Sequence, residues 1–347
     1  MNRLRQFINK AGWPRVIIGF FLLSLFVAAP FAQVSLAASI KDTLVRFGMN
    51  GVLVLSMVPM VQSGCGLNFG LPLGVIAGLL GAVTTMEMGI TGIMGFITAV
   101  ILSCAIAAVL GWGYGKMLNR VKGEEMVIST YVGLSSVMFM CMMWLVLPFK
   151  SPAMVWGYGG SGLRTTITLE GYWFNIIDNF LAIKIGDFTF PTGLFIFFAV
   201  MAFLVWAFFH TKTGTAMTAV GSNPDFARAS GIDVNKMRTI SVIISTVLGA
   251  VGILVYQQSY GFIQLYTSPL FMAFPAVAAI LLGGASVHKA TITNVIVGTI
   301  LFQGILTMTP SVINSFLKTD LSEVIRIIVS NGMIVYALTR KTTKVKS

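Results

Sequence analysis

The sequence predicts an all-α polytopic membrane protein of about ten transmembrane helices arranged as two inverted halves. Three observations predict it. Hydrophobic residues make up 56% of the 347 and charged residues only 10%, with a mean hydropathy of +0.88, whereas a soluble domain carries about 25% charged residues. Apolar runs long enough to cross a bilayer recur along the chain. The net charge of +12 is one-sided once those runs are walked from a cytoplasmic N-terminus. Arg3, Arg5, Lys10, Arg15, Lys116, Arg120, Lys122, Lys212, Arg228, Lys236, Arg238, Lys289, Arg340, Lys341, Lys344 and Lys346 fall on one face, against Glu124, Glu125, Asp225 and Asp233. The other face is neutral. The whole excess sits where the positive-inside rule places it, so the basicity reports topology and does not point to nucleic acid.

The whole chain, 1–347, reads as a single transmembrane domain. Residues 1–15 form a cytoplasmic start, and 16–38 is a first span running outward. Its basic lead and small residues near Ala32 look like a signal peptide, but the topology closes only if it is a retained anchor. Lys41, Asp42 and Arg46 mark an outer loop. Residues 47–61 return inward and contain Pro59. The glycine-rich run SGCGLNFGLPLG, 63–74, comes next, and then 75–86, too short to cross comfortably, with Glu87 at the outer surface. Residues 90–110 run inward and 126–147 outward. A long outer loop, 148–191, holds Trp156, Tyr158, Tyr172 and Trp173, either an interfacial aromatic belt or a surface for an external partner. Residues 192–209 run inward to a polar segment, 210–238, and 240–256 run outward. A second short span, 268–284, contains Pro269 and Pro275 and ends at Gly283-Gly284. Residues 291–307 run outward, 310–320 form an outer loop, and 321–338 return to a basic cytoplasmic tail, 339–347.

Segment 210–238 is the longest internal stretch that is polar and basic together. Within it Asn223 suits an N-cap, Pro224 the first helical position, Asp225 the first turn, and Gly231 a left-handed stop. This describes a helix over 224–230, too short to be stable without a surface to pack on.

The two short interrupted spans occupy corresponding places in the inverted halves, which is the sequence pointer to a pathway near the midplane. Asn68, Phe69, Gly70 and Pro72 in the first, and Pro275, Gly283 and Gly284 in the second, are the candidate pathway residues. The glycines fit equally well a tight helix crossing made of small residues.

Several chemistries find no residues. No span carries Lys, Arg, Asp or Glu well away from its ends, which weakens ion-coupled transport. In the run GWGYGKM, 111–117, the first glycine of a Walker A loop would fall on Leu110, and Met117 replaces Ser/Thr. The chain is therefore expected not to be an ATPase. No catalytic, metal or cofactor site is expected. His210 and His288 lack partners at metal-ligand spacing, and Cys65, Cys104 and Cys141 read as buried free thiols.

The run AVGSNPDFARASGIDV, 219–234, resembles the coupling-helix region of ABC importer permeases of the ribose/branched-chain-amino-acid type, with Phe226 where the family usually has alanine. The run AAILLGG, 278–284, resembles the stretch ahead of that family's inner loop. The resemblance implies a type II importer fold. It implies cytoplasmic ABC ATPase partners, a second permease of the same or a related chain, an extracytoplasmic substrate-binding protein, and a prokaryotic plasma membrane with both termini cytoplasmic. The ATPase-coupling helix would comprise Asn223, Pro224, Asp225, Phe226, Ala227, Arg228, Ala229, Ser230 and Gly231. Where sugar permeases of the family carry a run like GGIDLSVG, this chain has GCGLNFGLPLG, 64–74, which leans toward nucleoside and branched-chain-amino-acid members. The expectation is ATP-driven import of a small neutral solute, a ribose-like sugar first, a nucleoside or branched-chain amino acid as the alternatives. A stand-alone facilitator or secondary carrier is the rival of another class.

Overall fold

Apolar helices dominate the computed structural model, which describes residues 13–157, 160, 162–185, 188–317, and 324, 327, 328, 331, 332 and 335. Helix α1 (Trp13–Ala28) is followed by α2 (Leu36–Leu55), α3 (Met57–Gln62), α4 (Leu71–Glu87), α5 (Gly92–Arg120) and α6 (Glu125–Val146). Strand β1 (Thr166–Thr168), the one-turn helix α7 (Ile176–Asn179), β2 (Ile183–Ile185) and β3 (Phe188–Phe190) lead to α8 (Thr192–Phe209), α9 (Lys212–Ser222) and α10 (Pro224–Ala229). Helix α11 (Val234–Tyr260), β4 (Phe262–Gln264), α12 (Leu270–Leu282) and α13 (Ile292–Leu317) complete the order. Among the described residues, six helices are long and apolar enough to cross a membrane, and α1, α4 and α12 are shorter apolar helices. The protein is thus a mostly helical, multi-pass membrane protein.

Burial divides the helices into two sets. In an 18-residue apolar stretch of each helix, 78% and 67% of residues are buried in Leu36–Gln62 and Val234–Tyr260, against only 28% and 22% in Gly92–Arg120 and Glu125–Val146. The first pair forms the core, and the second turns apolar side chains such as Ile101, Val109, Phe139 and Met142 outward, as a lipid-facing wall requires. α11 is the central strut, packed against α5, α4 and α2. Close approach needs small residues: Gly111 and Gly115 of α5 lie directly on Thr246 and Thr239 of α11. Likewise Gly298 of α13 meets the Ala279 carbonyl of α12, and Asn294 Nδ2 donates to the Gly283 carbonyl at 2.7 Å.

α9 and α10 lie at one end of the bundle, here the basic end, with Lys116, Arg120, Lys212, Arg228 and Lys236. The opposite end carries the strands. β1 pairs antiparallel with β4 (Thr166 opposite Gln264), and β2 pairs with β3. Glu87 pins the start of this loop region by accepting from the Lys150 and Ser151 amides at 3.1 and 3.0 Å. Trp173 is fully buried, so it is packing and not part of an exposed belt; Trp156 is exposed, and Tyr158 lies outside the described residues.

Several boundaries differ from those the sequence suggested. The first helix stops at Ala28 and not at 38, because Pro30 disfavours helix just ahead of it and Gln33 is left-handed at φ 55°. Lys41, Asp42 and Arg46 are helical, not an outer loop. α2 begins at Leu36, capped by Ser35, whose Oγ accepts from the Ala38 amide. α2 and α3 form one 27-residue span, interrupted at Ser56 because Pro59 offers no N–H to the Leu55 carbonyl. Residues 310–317 continue α13 through Pro310 and are not loop. The expected tenth span, 321–338, falls mostly outside the described residues, as do the basic tail and residues 1–12.

Candidate functional site

α10 is built as the sequence suggested, one residue shorter. Asn223 Oδ1 accepts from the Asp225 and Phe226 amides at 3.1 and 2.9 Å. At the other end the Gly231 amide donates to the Arg228 carbonyl and the Ile232 amide to the Ala227 carbonyl, both at 3.0 Å, a Schellman closure. It needs a left-handed residue after the cap, and Gly231 takes φ 81°. Ala227 is fully buried against Val220 and Val234, so one face of α10 is fixed to α9 and α11. The other face is free. Phe226 is 66% exposed, and the Arg228–Asp225 ion pair, 3.3 Å, lies fully on the surface. An exposed phenylalanine beside an arginine on a rigid two-turn protrusion is a shape for docking.

At the loop end a cavity of about 1020 Å³ opens between α2, α12, α13 and the β1/β4 pair. Asn50, Gln264 and Gln303 bring amides to it, Thr165, Thr166, Thr267 and Ser268 hydroxyls, and Tyr256, Phe271 and Phe274 rings. Among the described lining residues, Arg46 is the only charged one. Gln303 makes no side-chain hydrogen bond among the described residues, so its amide is available to a ligand. Pro275 and Pro310 each lack an N–H, which leaves the helical carbonyls of Phe271 and Leu306 without that donor, and both of those residues line the cavity.

Of the seven residues expected along the pathway, Pro275 lines this cavity. Phe69 reaches it indirectly: its ring lies 5.7 Å from that of Phe274, so the two interrupted segments meet at the cavity floor. Asn68 is fully buried, donating to Ser245 Oγ at 2.8 Å and accepting from the Tyr114 hydroxyl at 3.2 Å. Gly70 sits where a Cβ would strike Tyr114, and Pro72 packs on Gly133. Gly283 belongs to the tight α12–α13 crossing, and Gly284 turns the chain at φ 86° beside Arg15. The sequence reading missed Arg46, Asn50, Gln264 and Gln303. The signal for Asn50 and Gln303 was present, since lone amides inside apolar spans mark polar interiors.

In α7, burial raises the Asp178 carboxyl above its ordinary value, opposed by hydrogen bonds from Ser259 Oγ and Gln258 Nε2, both 2.6 Å. This cluster ties α7 to the end of α11.

A multi-pass helical bundle with a polar cavity at one end and a capped, protruding helix at the other has the form of a solute permease. The chain belongs to the family described as branched-chain amino acid transport system / permease component, whose model matches residues 39–337. It is 23% identical over 235 residues to the nucleoside ABC transporter permease protein NupB of Lactococcus lactis, covering 65% of this chain and 61% of that one. It is 24% identical over 277 residues to the fructose import permease protein FruG of Bifidobacterium longum, covering 77% and 73%. It is 31% identical over 126 residues to the autoinducer 2 import system permease protein LsrC of an Enterobacter strain, 36% of each chain. No solved structure matches.

Proposed function

We propose that the chain is the transmembrane permease subunit of an ATP-driven importer for a small neutral polar solute, a simple sugar first. The observation that carries this is α10, a helix capped at both ends that leaves Phe226 and Arg228 exposed on its outer side. In this reading the basic end is cytoplasmic. Asn223 to Gly231 dock into a cytoplasmic ABC ATPase, which supplies the energy. An extracytoplasmic binding protein delivers the solute at the loop end, and a second permease, identical or related, completes the pathway within a prokaryotic plasma membrane. Both termini lie in the cytoplasm.

The cavity supports the solute class. Amides and hydroxyls suit a polyol, and Arg46, the only charged group among the described lining residues, disfavours cations. A nucleoside is the second reading, favoured by the rings of Tyr256, Phe271 and Phe274, on which a base can stack. Alternating access would proceed by parting Phe69 from Phe274 at the floor while the mouth closes.

Uptake by the reconstituted complex decides between them. Labelled ribose, fructose and a nucleoside are each offered with and without ATP. Uptake requires ATP, and cross-competition ranks the solutes. Uptake without ATP or ATPase would instead establish the facilitator.

A further inference from the structure

One face of α11 carries three polar residues that the docking helix and the cavity leave unused. Arg238, Ser241 and Ser245 recur at spacings of three and four, which aligns them on one side of the helix. All three are buried. Arg238 donates through Nε to Cys65 Sγ at 3.3 Å and pairs through Nη2 with Glu125 at the start of α6. Ser241 Oγ lies 2.6 Å from Ser63 Oγ. Ser245 Oγ accepts from Asn68 Nδ2 at 2.8 Å and donates to the Ser56 carbonyl at 2.6 Å. Ser241 Oγ also donates to the Arg238 carbonyl of its own helix at 2.7 Å. Apart from that bond and Glu125, the partners lie between Ser56 and Asn68, the interrupted part of the first half.

Packing alone does not require this chemistry. A buried guanidinium–carboxylate pair costs desolvation that an apolar pair avoids, and what it confers is a fixed register. The Arg238–Glu125 pair fixes α11 against the start of α6, and the contacts to Cys65, Ser63, Asn68 and Ser56 fix it against the interruption. α11 also begins at the docking helix. Val220, Ala227 and Val234 lock α9, α10 and α11 into one joint. From the same joint Gly221 presses directly on the Gln62 carbonyl and Gly64, where no side chain fits. Two contacts from one joint thus converge on Gln62–Asn68. The next residue is Phe69, whose ring abuts Phe274 at the cavity floor.

We infer that the Arg238–Ser241–Ser245 face of α11 is the transmission through which movement of α10 displaces Ser63–Asn68 and so opens the Phe69–Phe274 floor, with Arg238, held by Glu125, as its positioning residue. This rests on α10 being the ATPase contact proposed above. Displacement of α10 moves the joint, α11 follows as a rigid strut, and the hydrogen bonds carry the interruption along.

The test uses the full complex of permease, ATPase and binding protein in proteoliposomes, reading solute transported and ATP hydrolysed in the same sample. One variant is Arg238→Met with Glu125→Gln, which removes both charges together. The other is Ser241→Ala with Ser245→Ala, which removes two hydroxyls and strands no charge. Both are expected to keep the ATPase bound and hydrolysing, while solute moved per ATP falls about tenfold, a coupling loss of the size one element can carry. A purely structural role would lower assembly, hydrolysis and transport together, and that result overturns the inference. Wild-type transport per ATP in the serine variant overturns it too, whatever the charge variant does. The docking helix is tested separately by Phe226→Asp with Arg228→Glu. If that pair leaves ATPase binding intact, the proposed function fails; if it abolishes binding while the α11 variants stay coupled, only the transmission fails.

Discussion

Replacing both caps of α10 isolates the claim that it works as a preformed helix. Asn223→Ala removes the acceptor of two amides, about 1 kcal/mol. Gly231→Ala forces a side chain into a left-handed conformation at φ 81°, roughly 1–2 kcal/mol. The positions lie at opposite ends and share no partner, so their effects add to about 2–3 kcal/mol. A helix of six residues has no reserve to absorb that loss. If the ATPase recognises the helical form, the same free energy appears as an affinity about 30- to 150-fold weaker. The permease in nanodiscs is titrated against a labelled ATPase by fluorescence anisotropy. Thermal unfolding serves as control, because neither residue is part of the bundle core and the midpoint should barely move. A double variant that binds within about threefold of wild type, with its unfolding unchanged, refutes the reasoning.

Further outcomes follow from the same contacts. Arg46→Gln should raise the half-saturating solute concentration of the complex roughly tenfold or more, as loss of a charged hydrogen bond does, while ATPase binding stays intact; an unchanged value removes Arg46 from the solute path. Gly298→Val should destabilise by about 1–3 kcal/mol, seen as a lower midpoint in denaturant, because its side chain would strike the Ala279 carbonyl. Asp178 has a raised folded pKa, so the folded state holds its proton more tightly than the unfolded chain. That contribution is full below the unfolded value and is lost as pH rises through the folded one. Docking of α7 should therefore weaken from acid toward neutral pH, and Asp178→Asn should flatten the trend. Hydrogen exchange of the Ile177 amide, which donates to Gln258 Oε1, reports it once corrected for intrinsic rate.

What could be read from residue order was local. Asn223, Pro224 and Gly231 announced α10 because caps act within four residues, and α8 kept the expected bounds, 192–209, because its apolar run is uninterrupted. Charge misled at Lys41, Asp42 and Arg46. They read as a loop, yet they sit on a helix, where long side chains reach polar space and where Arg46 turns to the cavity. Pro310 read as a stop, but a proline inside a packed membrane helix is tolerated when neighbours satisfy the freed groups. The cavity and the α11 face were illegible for a different reason. Ser63 meets Ser241 across a sequence separation of 178, and no local pattern says that the residue closing α3 lies against α11. Asn68 read as a pathway amide, and its side chain is engaged by Ser245 and Tyr114.

The central claim is that α10 joins the chain to an ATPase. It is tested most directly by isolating the wild-type chain and the Phe226→Asp, Arg228→Glu variant from native membrane in mild detergent and identifying the proteins that accompany each. The account predicts an ABC ATPase bound to the wild type and absent from the variant, with the variant's unfolding midpoint unchanged. An ATPase retained by the variant, or none with the wild type under conditions that preserve related complexes, would contradict it.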